Sequence, residues 1–116
     1  MPTKKLRFER LNDRHIFEWH GRMPTTPIRG IAAFDGDEIL GFVGYSDWGE
    51  ILEVFSSIGL AAKCYPVTMY KLANIVLDWV DEKGKPAFAY QSIEHDTSAA
   101  LLTRLGFYRD GDIWRY

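Results

Sequence analysis

The run EILEVFSSIGLAAKCYPVTMYKLANIVLDWVDEKG, residues 50–84, decides how this chain folds. Its first nine residues read as a strand, longer and more apolar than the chain's first. Pro66 stands at a first-turn position, where its missing N–H costs a helix nothing. From there Met69, Leu72, Ala73, Val76, Trp79 and Val80 fall at i, i+3, i+4, i+7, i+10 and i+11, which is one apolar stripe. Gly84 after Asp-Glu-Lys supplies the stop. A strand feeding a long amphipathic helix makes the junction between them, Gly59 to Tyr70, a natural place to hold a phosphate.

Working outward, PAFAYQSI (86–93) predicts a second strand after the helix. Asp96 caps a helix whose Ser98, Leu101, Leu102 and Leu105 share one face, closed by Gly106. FYRDGDIWRY at the end is a hairpin about Asp110-Gly111. Upstream, LRFERL (6–11) alternates apolar and charged residues as a half-buried strand does. Asn12 or Asp13 then caps a short helix through His15, Ile16 and Trp19 that ends near Gly21. Pro24 and Pro27 make MPTTP (23–27) a connector. GIAAF, DGDE and ILGFVGY form a hairpin whose Asp35-Gly36 offers positive-φ chemistry. The predicted order is β-α-β-β-β-α-β-α-β-β, an α/β (α+β) chain with a mixed central sheet, one domain over 1–116.

Apolar residues at 47% and charged residues at 26% of 116 describe a globular core former. A net charge of −2 with no basic block beyond KKLR excludes a broad nucleic-acid-binding face. One cysteine, Cys64, allows no internal disulfide and fits a reducing compartment. The start MPTKKLRFER carries no signal-peptide pattern, and no window is apolar enough for a membrane span. A cytoplasmic location is the expectation.

Three segments carry a resemblance: FDGDEILGFVGY (34–45), the passage from Glu50 to Gly84, and TSAALLTRLGFYRDG (97–111). In this order and spacing the chain resembles the GCN5-related N-acetyltransferase (GNAT) superfamily. That resemblance implies acetyl-CoA, or another acyl-CoA, as cosubstrate, and transfer of its acyl group to an amine. It implies a crevice between strands 50–58 and 86–93, with strand-end and loop positions Ile58 and Leu60 supplying cofactor contacts. The family's loop is Arg or Gln, two residues, Gly, one residue, then Gly or Ala. Here Lys63 falls at the basic position and Pro66 and Thr68 at the small-residue positions. Proline has no N–H, so the cradle loses a donor, while Lys63 and Thr68 retain a charge and a hydroxyl. Ser98 matches the family's small residue on the last helix. Glu53 lies near the family's general base. The family's proton-donating tyrosine falls at Leu102, which carries no proton, and Tyr90 is a substitute donor to consider.

The chain also looks like the small acetyltransferase-like proteins of tailed bacteriophages, including internal virion proteins, which share the compact length, the glycine-poor loop and the aliphatic residue at the tyrosine position. That likeness supports an alternative: a catalytically inactive scaffold acting as a structural or interaction protein, in a virion if phage-encoded. A protein partner or a homo-oligomer is then expected, with no nucleic acid or membrane. His15, His20 and His95 lack metal-ligand spacing, so no metal is expected. Cys64 has no His or Asp spacing for a triad and reads as a small structural thiol. Trp48 in SDWGE stands out as a loop aromatic.

Overall fold

The computed structural model describes residues 6–21, 23, 26–58, 66–90 and 102–116. Its elements are β1 (Leu6–Arg10), α1 (Asp13–His20), β2 (Ile28–Asp35), β3 (Glu38–Asp47), β4 (Leu52–Ile58), α2 (Pro66–Lys83), β5 (Ala87–Tyr90), β6 (Tyr108–Asp110) and β7 (Ile113–Arg115). They build one seven-stranded sheet in the order β1-β2-β3-β4-β5-β7-β6, antiparallel except for the β4–β5 step. The predicted order holds. Of the last predicted helix, residues 102–104 are described and helical. Its cap Asp96 lies outside the described residues.

Local chemistry explains the element ends. Asn12 caps α1: its side-chain oxygen accepts from the His15 N–H at 3.0 Å, and His15 Nδ1 accepts from the Asn12 N–H at 3.2 Å. This reciprocal box satisfies two donors that a helix start leaves orphaned. Gly21 closes α1 in the left-handed region at φ 77°. In the β2–β3 hairpin Asp35 pairs with Glu38, so the two loop residues are Gly36 and Asp37, one position later than the sequence suggests. Gly36 takes the positive φ that the first of two loop residues requires.

The register contains two features with no local signature. Ala33 pairs with Gly41 and Phe34 with Ile39, so Leu40 is the extra residue of a bulge. Gly30 faces Gly44 across β2 and β3, and a Cβ on Gly44 would meet the Arg29 carbonyl at 2.6 Å and the Phe55 ring at 3.0 Å. These glycines let two backbones and two apolar side chains close together.

Alternation divides the sheet into two faces. Leu52, Val43 and Ala33 pack against Met69, Leu72, Val76 and Val80 of α2. The opposite face packs Ala32, Phe34 and Phe42 against Ile16 of α1 and Leu11 just before it. Arg29 lays its guanidinium 4.0 Å over the Trp79 ring, tying β2 to α2. A third cluster joins Leu77 of α2 with Ala89, Leu102, Phe107 and Trp114. Each fully buried aliphatic or aromatic side chain contributes roughly 1.5–3 kcal/mol, so α2 holds both halves of the sheet. No helix among the described residues is long and apolar enough to cross a membrane.

Candidate active site

The strand predicted to begin at Glu50 begins at Leu52, because residues 48–51 form a tight reversal. The Trp48 N–H donates to the Ile51 carbonyl at 3.0 Å, Gly49 adopts φ 96°, and Asp47 Oδ1 accepts from the Gly49 N–H at 2.9 Å. Lys85 Nζ meets Asp47 at 3.3 Å from the α2–β5 connection. The Gly49 N–H, and after burial's opposing effect the Lys85 charge, hold the Asp47 carboxyl below its ordinary value of 3.8. The reversal fixes where β4 starts and brings the Trp48 indole over it. Trp48 Nε1 donates to Glu53 Oε1 at 3.1 Å.

Glu53 stands where the sheet divides. Among the described residues β4 and β5 pair at two positions, Leu52 with Ala87 and Glu53 with Phe88, although β4 runs on to Ile58 and β5 to Tyr90. The Leu52 N–H donates to the Pro86 carbonyl at 2.9 Å, which fixes the phase of the ladder. By alternation Val54, Ser56 and Ile58 then turn their backbone N–H and C=O groups toward β5. No described β5 residue pairs with those positions. On the side of α2 the gap is floored by Val54, Ala89 and Leu77. On the side of α1 stand Glu53 and Phe55, which share parity on β4.

That second face is exposed at Tyr90 and Tyr108. Across it run Ser46, Glu53, Phe88, Arg115 and Tyr108, each the register partner of the next. Tyr90, 62% exposed, follows Phe88 on the same face, and their rings meet edge-on at 5.4 Å. Arg115 is held by the Asp110 carboxylate, whose hydrogen bond and charge push the guanidinium's pKa up. The site is therefore a half-buried carboxylate beside a backbone row that no described β5 residue pairs with, flanked by aromatic rings.

Of the expected site residues, the structure brings Glu53 and the backbone of Ile58 onto the same strand, with Ile58 at the end that faces the gap. Thr68 is half-buried in the first turn of α2. Pro66 opens that helix, as its ring favours. Leu60, Lys63 and Ser98 lie outside the described residues, as do Cys64, Tyr65 and His95. Leu102 is buried against Leu77 and Phe107, so the position expected for a proton donor is core. Trp48 is the residue that sequence reasoning did not connect to Glu53. The only signal for it was an aromatic in a short turn five residues before the carboxylate. Among the described residues no group of three His, Cys, Asp or Glu side chains could hold a metal.

No family model and no curated protein matches the sequence. Solved structures do match. Spermidine N-acetyltransferase from Vibrio cholerae, described as a dodecamer, superposes with a TM-score of 0.67 over 97% of this chain and 92% of its own, at 14% identity. Ribosomal-protein-S5-alanine acetyltransferase from Vibrio fischeri gives 0.60 over 88% of this chain at 17% identity. PaiA N-acetyltransferase from Thermoplasma acidophilum, in complex with coenzyme A, gives 0.58 over 76% of this chain at 15% identity. The chain spans 63% and 58% of the last two proteins' lengths. This chain has the acyl-CoA N-acyltransferase fold, the architecture of the GNAT acetyltransferases.

Proposed function

We propose that this chain transfers an acyl group from acyl-CoA to an amine in the gap where β4 and β5 part. The observation that carries the reading is the meeting of Glu53 with that gap: two described ladder pairs, a carboxylate at the second, and beyond it backbone groups that no described β5 residue pairs with. The residues fit such a ligand. The outward backbone groups of Val54, Ser56 and Ile58 offer donors and acceptors to an extended chain carrying amides. Acyl-CoA supplies the acyl group as an activated thioester, with Lys63, Thr68, Ser98 and the backbone at Leu60 as its further contacts by family likeness.

Glu53 sits on the second face, where an amine arrives. Its carboxylate accepts a proton from the amine as the C–N bond forms and the C–S bond breaks. The departing sulfur takes a proton from solvent or from the exposed hydroxyl of Tyr90, since Leu102 has none to give. N–H groups along Val54, Ser56 and Ile58 favour negative charge on an acyl oxygen in the gap. The Trp48 N–H keeps Glu53 turned to this face. Residence in the cytoplasm belongs to the same reading.

A second reading draws on the burial of Leu102 and on Pro66 at the helix start: a chain that keeps the scaffold without the chemistry, in a virion if phage-encoded. One assay separates the two. Free thiol released from acetyl-CoA is followed with a panel of mono-, di- and polyamines and with peptide N-termini. Acyl transfer is expected for the wild type, with kcat in Glu53→Gln lower by about 10²–10⁴-fold. Absence of turnover with every acceptor class, by protein that is folded, would favour the scaffold.

A further inference from the structure

The sheet ends on one side at β1, and no described strand pairs with its outer edge. Exposed edges invite pairing with other chains, and natural proteins usually blunt them with charge. Here the charges are ordered so that a second copy of the strand complements them. The bond from the Leu11 N–H to the Gly30 carbonyl, 2.9 Å, fixes the ladder between β1 and β2. Register alternation then turns the backbone groups of Arg7 and Glu9 toward β2 and those of Leu6, Phe8 and Arg10 outward. Phe8 thus presents both an N–H and a C=O to the free edge, and its ring is 48% exposed.

The sequence of the strand, Leu6-Arg7-Phe8-Glu9-Arg10, has a symmetry about Phe8. Laid antiparallel against itself, it places Phe8 opposite Phe8, Arg7 opposite Glu9 and Leu6 opposite Arg10. Each Arg7 faces a Glu9 at both ends of the contact. Arg7 and Glu9 already stand on one face 3.8 Å apart, with side chains 50% and 45% exposed, so the four groups alternate in sign around a square. Arg7 is held ready: its guanidinium donates to the Gly36 carbonyl at 3.1 Å and lies 4.7 Å over the Phe34 ring. On the other face the two Phe8 rings meet beside Leu6 and the Arg10 stems. The opposite edge, β6, has three residues, and its Asp110 is spent on Arg115.

We infer that a second copy of this chain docks along β1, with a two-fold axis through the Phe8 pair, joining two seven-stranded sheets into one. Such a contact is isologous and closes on itself. It leaves the face around Glu53 free in both copies, so it does not depend on the proposed chemistry.

Sedimentation velocity over a range of concentrations tests it with four proteins. Wild type is expected to form a dimer. Arg7→Glu sets Glu against Glu, and Glu9→Arg sets Arg against Arg, so each weakens the dimer by tenfold or more. The double variant Arg7→Glu/Glu9→Arg restores opposite charges at both ends and recovers the dimer, although it loses Arg7's contacts to Gly36 and Phe34. Phe8→Pro provides a second check, because it removes an N–H that β2 does not use and an edge strand tolerates it; it is expected to be folded and monomeric. A wild type that stays monomeric throughout, or an assembly untouched by either single reversal, would overturn the inference.

Discussion

The two halves of the sheet are built on different terms. From β1 to β4 the strands are five to ten residues long, paired along most of their length, and packed on both faces by α1 and α2. From β5 to β6 they are three or four residues long, and among the described residues β5 and β7 pack against Leu77 of α2. Two ladder pairs join the halves directly, and α2 bridges them behind. The long half is a platform whose close packing sets the position of β4. The short half meets it in those two pairs, and at the seam stand Glu53, Trp48 and the β4 backbone that no described β5 residue pairs with. The proposed site lies where the described ladder between neighbouring strands is shortest in the middle of the sheet.

The largest effect is expected at the tightest point of the platform. Gly44→Ala puts a methyl 2.6 Å from the Arg29 carbonyl, where only backbone movement can relieve it. A loss of about 1–3 kcal/mol in denaturant unfolding is expected, from overpacking of a closed core. An unchanged midpoint would mean that the platform is looser than its packing indicates, and the contrast between the halves would fail there.

A smaller effect sharpens the seam. Trp48→Phe keeps a ring on the turn but removes the donor to Glu53. Once an acceptor amine is known, kcat is expected to fall by about three- to tenfold with the KM for acetyl-CoA unchanged. Stability should hardly move, because both partners are exposed or half-buried. A change in KM alone would assign Trp48 to binding.

The smallest effect concerns how the short half is pinned. Tyr116 donates its N–H to the Ala87 carbonyl and its hydroxyl to Asp81 Oδ2 at 3.2 Å. Burial and then the Asp81 carboxylate raise its phenol above the ordinary value of 10.0. A raised value means that the folded chain holds this proton more tightly than the unfolded chain. The resulting stability is therefore complete below pH 10 and lost as pH rises through the folded value. Tyr116→Phe is expected to flatten the alkaline fall in stability with little change at neutral pH. Equal slopes for the two proteins above pH 10 would remove Tyr116 from the pin.

The sequence showed what local chemistry dictates. Asn12, Gly21, Pro66 and Gly84 announce element ends, and the apolar stripe of α2 names its buried face, because caps and periodicity act within a few residues. The seam was not legible in the same way. How many pairs β4 and β5 share depends on where the 48–51 reversal starts β4 and on how β5 meets β7. The Leu40 bulge and the Gly30–Gly44 contact are likewise properties of two strands in register. Glu53 could be named from the resemblance, but its partner Trp48 could not, since a hydrogen bond across a turn has no period. Of the residues that likeness assigns to acyl-CoA, Leu60, Lys63 and Ser98 stand outside the described residues, so solution binding must test them.

The most direct measurement is calorimetric titration of acetyl-CoA, with CoA as control, into wild type and Lys63→Ala. Micromolar binding to the wild type, weakened in the variant, is the expected result. No heat at high protein concentration, together with no thermal shift on adding either ligand, would contradict the assignment of the β4–β5 gap to acyl-CoA.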